Sequence, residues 1–129
     1  MFHEIKTQKD IEQFLEQSKA LQDGDLIDVH YVHNDLRKDS CGGEYYFGSG
    51  QTKLSFRILV ENMIVEIEFE DVWTWHIKDP ECEIVESTVI INENNHIVWS
   101  DHPYTSIDAR KEGSYVIANS MKWRIAEPK

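Results

Sequence analysis

Two groups of side chains have types and spacing that could support chemistry. Asp28 and His30 lie two residues apart in an alternating segment, so they share one face of a strand, whereas His33 falls on the other face. A zinc site needs three or four converging ligands, and this spacing does not supply them. We interpret these histidines as ordinary surface residues and expect no metal and no cofactor.

Cys41 is the candidate nucleophile, because it precedes Gly42 and Gly43, whose backbone amides could stabilise an oxyanion. No base is identifiable from spacing, and the motifs of serine hydrolases and phosphate-binding loops are missing. The sequence therefore favours a protein that is not an enzyme. A disulfide between Cys41 and Cys82 stays open, but the missing signal sequence favours free thiols and a cytoplasmic location.

Acidic residues dominate the charge of the chain. Its 129 residues include 13 Lys+Arg and 24 Asp+Glu, for a net charge of −11. This excess disfavours nucleic acid and anionic membranes as partners, since both attract basic proteins. Nine acidic residues against Lys78 give the segment from Glu61 to Glu86 a charge of −8. Such a surface could steer a basic protein partner, or it could be a solvated strand face that keeps the protein soluble.

Aromatic residues offer a second candidate surface. Three of them lie together in a long glycine-rich, polar segment from His33 to Gln51, where rings supply contact area for recognition. By contrast, we interpret Trp73, Trp75, Trp99 and Trp123 as core residues. The predicted partner-binding residues are therefore drawn from the acidic segment and the aromatic cluster: Glu68, Asp71, Glu81, Glu83, Tyr45, Tyr46 and Phe47.

The elements that position these residues begin with one helix. Helical spacing of apolar residues predicts a helix from Gln8 to Gln22, with Thr7 and Asp10 as its capping box and Asp23-Gly24 as its end. The residues expected to face the core are Ile11, Phe14, Leu15, Ser18 and Leu21.

The strongest structural signal is a β-hairpin with its turn at Glu61-Asn62. Alternating apolar residues of its two strands, 54–60 and 63–69, then meet on one face, while Arg57 lies opposite Glu66 and Lys53 opposite Glu70. The alternation continues to residue 77. A straight strand of that length would be about 50 Å long, so we expect a bend or bulge around residues 70–72.

Further alternating segments predict strands at 27–31, 84–91, 96–99, 115–118 and 121–125. The segments 84–91 and 96–99 form a second predicted hairpin, with its turn at residues 92–95. The predicted fold is α+β, one domain over residues 1–129. It is mainly antiparallel β, with six or seven strands in a sandwich or partly closed barrel and one N-terminal helix. Strand order and oligomeric state stay open.

Three segments share a common character: Ile64–Val72, then Thr88–Ile91 leading to Ile97–Asp101, then Tyr115–Ala118 leading to Met121–Arg124. Together they resemble an uncharacterised family of small acidic bacterial proteins. They are similar to the family's "IELEFEGV"-like, "IYWSD"-like and "LRWR"-like strands, although Asp71 stands where the family has glycine. Some families of this style are immunity proteins of toxin systems. The resemblance implies no catalytic residues, and it implies a toxin-like partner.

Two functions follow as expectations. The first is a non-enzymatic acidic binding protein, such as an immunity-like inhibitor of a basic protein. The alternative is a small-molecule-binding domain with a pocket between helix and sheet.

Overall fold

A computed structural model describes residues 1–33, 36–38, 45–47, 52–77, 83–84, 87–101 and 113–126. One helix, α1 (Gln8–Gln17), is followed by a 3₁₀ turn at Lys19–Leu21. The strands are β1 (His3–Glu4), β2 (Gly24–His33), β3 (Leu36–Lys38), β4 (Tyr45–Phe47), β5 (Thr52–Val60), β6 (Met63–His76), β7 (Glu83–Ile84), β8 (Thr88–Ile91), β9 (Ile97–Ser100) and β10 (Tyr115–Ala126).

The main sheet is antiparallel and has the strand order β7-β2-β5-β6-β10-β9-β8. The short strand β1 also pairs with β10, and β3 and β4 form a separate hairpin. The predicted α+β class is confirmed, since the described residues form one open main sheet, the separate β3–β4 hairpin and one helix near the N-terminus. The hairpin predicted from 84–91 and 96–99 is confirmed as β8 and β9. Its first strand is shorter than predicted, because Ile84 lies in β7, which pairs with β2 at the other edge of the sheet.

The helix begins as the sequence predicts and ends earlier. The Thr7 hydroxyl accepts a hydrogen bond from the Asp10 backbone N–H, and the Asp10 carboxylate accepts from the Thr7 N–H. A further bond from the Lys6 N–H, the largest cause, helps lower the pKa of Asp10 below its usual 3.8. The helix ends at Gln17 rather than Gln22, because residues 19–21 take positive φ angles of 52–57°.

The predicted β5–β6 hairpin is confirmed in its register. Val60 pairs with Met63 and Leu54 with Phe69, and the charged positions 57 and 66 face each other on the opposite side. A shift of one residue would move every apolar side chain of the hairpin out of the core, so the apolar pattern fixes this pairing.

The core lies inside the curve of the sheet. The rings of Phe56 on β5 and Trp99 on β9 are 5.3 Å apart, although two strands separate them. Positions three strands apart in a flat sheet would be about 14 Å apart. The sheet therefore curls around its core, and α1 packs against it through Phe14, whose ring lies 5.3 Å from Trp123. Trp99 and Trp123 are buried, as predicted.

The predicted bend in β6 is confirmed at Asp71, which has a φ of 55°. Pairing of β6 with β5 ends at Glu70, whereas pairing with β10 continues to His76. Next to the bend, Thr74 pairs with Ile117 and Val72 with Ala118, which leaves Trp73 as the extra residue of a β-bulge. β6 thus consists of a first half, residues 63–70, and a second half, residues 72–76.

Candidate functional site

The acidic side chains on the first half of β6 face cations on both neighbouring strands. Glu66 lies between Arg57 of β5 and Arg124 of β10, with N–O distances of 3.8 and 2.7 Å. Glu70 lies 3.5 Å from the amine of Lys122 on β10. The two flanking strands therefore balance much of the charge that makes this segment acidic in the sequence.

Glu68, a predicted partner-binding residue, lies on this same charge-balanced face. It pairs with Ser55 on one side and Lys122 on the other, and it is half-buried. The ring of Phe2 packs beneath Lys122 and Arg124, with centroid distances of 5.3 and 4.5 Å. These ion pairs lie on the outer face of β5–β6–β10. We call their members the ion-pair ladder: Arg57, Glu66, Glu70, Lys122 and Arg124.

The other predicted residues are only partly described. Glu81 and the candidate nucleophile Cys41 lie outside the described residues. Glu83 is in β7, where its backbone pairs with Asp25 at the sheet edge. Tyr45, Tyr46 and Phe47 form β4 and pair with β3, so the aromatic cluster belongs to a hairpin. Their roles in binding stay predictions.

Asp71, a predicted partner-binding residue, is linked by hydrogen bonds and a ring contact to three other side chains. Its carboxylate accepts a hydrogen bond of 3.3 Å from the side-chain amide of Asn119. The carbonyl of the same Asn119 side chain accepts a 2.9 Å bond from the indole Nε1 of Trp73. The Trp73 ring also packs against His96, with centroids 4.4 Å apart. We call Asp71, Trp73, His96 and Asn119 the bend patch.

The assignment of Trp73 to the core is wrong. Its side chain is 65% exposed, more than any other large apolar residue of the described chain except Met1. The reason is the bulge, since the extra residue at position 73 breaks the alternation that would have turned the ring inward. Trp75, after the bulge, is partly buried against the core, and its ring centroid lies 5.3 Å from that of Tyr31.

The side chains of the bend patch are held in place by contacts with one another. Its residues come from β6, β10 and the residue that precedes β9, so three parts of the sheet fix their positions. The one polar atom of the indole already has its acceptor, which restrains the ring. Sequence reasoning found Asp71 but missed Asn119, His96 and the exposure of Trp73. The one available signal was Asp71, which interrupts the apolar alternation.

A cleft lies next to the bend patch. β9 pairs with β10 at residues 115–118 and β1 pairs with it at 122–123, so residues 119–121 lie between these two partners. The cleft has a volume of about 430 Å³ and an apolar floor formed by Ile5, Ile91, Ile97 and Met121. Its rim is polar and consists of Glu4, Lys6, Glu70, Asn95, Asn119, Ser120 and Lys122.

Within the described ranges, no group of three or more histidine, cysteine or acidic residues is arranged to hold a metal ion. The helical segments of that same part of the chain are too short and too polar to cross a membrane. Comparisons with protein-family models, with curated proteins and with solved structures give no match.

Proposed function

We propose that this protein is a non-enzymatic binding protein that recognises a basic protein partner through the bend patch. The observation that carries the proposal is the 65% exposure of Trp73, an aromatic ring fixed by Asn119 and His96 at a bulge. Tryptophan is enriched among the few residues that dominate binding energy at protein interfaces. A ring that is already fixed loses little conformational freedom on binding.

Charge supports a basic partner. The chain carries a net charge of −11, and the ion pairs of Glu66 and Glu70 leave that total unchanged. A net field of this sign speeds the approach of a basic protein and repels nucleic acid. Asp71 brings a carboxylate into the patch itself. The resemblance to small acidic bacterial proteins suggests a cytoplasmic, immunity-like inhibitor of a toxin-like protein.

The direct test starts from proteins encoded beside this one. A basic neighbour is co-expressed with it, and the affinity of the purified pair is measured for wild type, Trp73→Ser and Leu59→Ser. Leu59 is the matched control, because it is also an exposed apolar residue, at 38%, but lies on β5.

We expect Trp73→Ser to weaken binding by about 30-fold or more, as at interface positions that cost at least 2 kcal/mol. Leu59→Ser should leave the affinity within about twofold, and rising salt should weaken all pairs. Equal losses for the two variants would contradict the proposal, and so would a failure of every basic neighbour to bind.

The cleft supports a second candidate function, the binding of a small molecule. Its volume lies in the range of ligand pockets, and its lining combines four apolar residues with polar and charged ones that could orient a ligand. It lies beside the segment that leads into α1, whereas the interface of α1 with the sheet is filled by Ile11 and Phe14, both buried. A ligand found by thermal shift should lose its stabilising effect when Ser120→Trp fills the cleft. If that variant is stabilised as much as wild type, the ligand binds elsewhere.

A further inference from the structure

The segment that follows α1 has a strained backbone. Lys19, Ala20 and Leu21 have φ angles of 57°, 54° and 52°, so three consecutive residues with side chains take the left-handed conformation. Each such residue is disfavoured about five- to thirtyfold relative to the right-handed helical conformation. Left-handed residues other than glycine normally occur singly. The turn at 19–21 therefore persists only because contacts with other parts of the chain hold it.

Two backbone hydrogen bonds hold this segment against the sheet. The carbonyl of Ala20 accepts a 2.7 Å bond from the N–H of Ser87, and the N–H of Asp23 donates to the carbonyl of Ile84 at 2.9 Å. Ile84 ends β7 and Ser87 precedes β8, and these two strands lie at opposite edges of the main sheet. The segment after α1 is thus bonded to both edges of the curled sheet.

Two buried hydroxyl groups next to the left-handed turn are unsatisfied. Ser18 precedes the turn and is fully buried, and Ser87, whose backbone is bonded to the turn, is buried as well. Neither Oγ has a hydrogen-bond partner among the described residues. A buried polar group without a partner costs free energy. The left-handed arrangement therefore combines an unfavourable backbone with two unsatisfied side chains.

The sequence of the same segment suits a right-handed helix. Phe14, Ser18 and Leu21 recur at helical spacing, so a helix that continued to residue 22 would keep Leu21 on the same apolar face as Phe14. Ala20 and Leu21 are both strong helix formers. In such a helix the Ser18 hydroxyl can donate to the carbonyl of Phe14, four residues earlier. One change of conformation would thus relieve the backbone and satisfy one of the two hydroxyls.

We propose that residues 18–22 are a conformational switch with two states. In the first state, which the structure shows, the left-handed turn is bonded to the two sheet edges at Ile84 and Ser87. In the second state α1 continues to Gln22, and both of these bonds break. The switch therefore controls how firmly the two edges of the sheet are held at the end of α1. It uses neither the bend patch nor the cleft, so it goes beyond the proposed function.

Hydrogen exchange of the Ser87 amide in the full chain measures how often the second state forms, because this N–H is bonded to Ala20 only in the first state. Ala20→Gly relieves the left-handed backbone and weakens a right-handed helix, so it should slow this exchange about tenfold or more. Lys19→Val should speed it about fivefold or more, since a β-branched residue is poorly tolerated at a φ of 57°.

Two control variants separate the switch from other effects on stability. Gln13→Gly places glycine at an exposed site within α1, which both states contain, so Ser87 exchange should stay within about twofold of wild type. Exchange through global unfolding would instead be faster in this variant. Glu61→Gln removes the exposed ion pair that Lys19→Val also breaks, and it should likewise change the exchange by no more than about twofold.

The conformation of the second state is read from its Cα chemical shifts by saturation-transfer NMR on Lys19→Val, in which that state is most populated. We expect the shifts of a right-handed helix at residues 18–22. Shifts of an unfolded chain would overturn the inference, and so would the absence of a second state in this variant. The inference also fails if Ala20→Gly does not slow Ser87 exchange, or if Gln13→Gly speeds it as much as Lys19→Val does.

Discussion

The two halves of β6 continue one apolar alternation in the sequence, yet they behave differently in the fold. In the first half, Glu66 and Glu70 face cations contributed by neighbouring strands. In the second half, β6 no longer pairs with β5, and Trp73 projects into solvent beside Asp71. The half with more acidic residues in the sequence is thus the half in which carboxylates form ion pairs within the fold.

This difference shows that the number of acidic residues in a segment does not tell how many of their carboxylates stay outside ion pairs in the folded protein. What decides between the two is the strand on each side, because cross-strand neighbours determine which side chains meet. A single left-handed residue followed by a bulge then converts a core position into an exposed one.

The largest expected effect separates a buried tryptophan from the exposed one. Trp123→Ala should lower the free energy of unfolding by about 3–5 kcal/mol, because it removes a ring that is 1% exposed and packs on Phe14. Trp73→Ala should cost no more than about 2 kcal/mol, since only about a third of the residue is buried. Urea unfolding measures both. Similar losses would mean that Trp73 belongs to the core after all.

The conformation of the bend itself gives the next effect. Asp71→Val should destabilise the protein by about 1–3 kcal/mol, because a β-branched residue is poorly tolerated at a φ of 55°. Asp71→Asn should stay within about 0.5 kcal/mol of wild type in the same urea experiment. If valine were as well tolerated as asparagine, the left-handed bend would not separate the two halves.

The ion-pair ladder of the first half predicts a smaller loss. Glu66→Gln should cost about 1 kcal/mol, since it leaves Arg57 and Arg124 without the carboxylate between them. The comparison variant is Glu12→Gln on α1, which should change stability by less than about 0.5 kcal/mol. The difference between the two should shrink in high salt. A larger loss for Glu12→Gln would contradict the ladder.

Asp10 differs from the acidic residues of both halves of β6, because its carboxylate accepts hydrogen bonds from backbone N–H groups at the start of α1. Backbone and Thr7 hydrogen bonds lower its pKa in the folded protein. Its stabilising contribution is therefore present above the pKa of the unfolded chain and is lost as pH falls through the lower, folded value. An NMR titration should show this depressed pKa, and Thr7→Ala should raise it. An unchanged pKa in Thr7→Ala would argue against the capping box.

Much of the fold follows from local pattern. The hairpin register was predictable because two alternating segments and two charge pairs agree on one alignment, and the capping box is readable from Thr7 and Asp10. The bend was predictable from strand length alone. Lys122 and Arg124 were not assigned to the acidic face, because their approach depends on β10 pairing with β6 from some 50 residues further along the chain.

The bend patch was harder to predict for the same reason. Asn119 and His96 reach Trp73 through strand pairings that are distant in sequence, and the bulge that exposes the ring depends on a register shift. Local alternation gives no information on where a register shift occurs.

The central claim is that the second half of β6 presents Trp73 to solvent as a recognition surface. Acrylamide quenching of tryptophan fluorescence tests it most directly, because the chain has 4 tryptophans, of which Trp99 and Trp123 are buried and Trp75 partly so. We predict one readily quenched component that Trp73→Phe removes and Trp75→Phe retains. If Trp73→Phe leaves that component unchanged, Trp73 is shielded and the claim is contradicted.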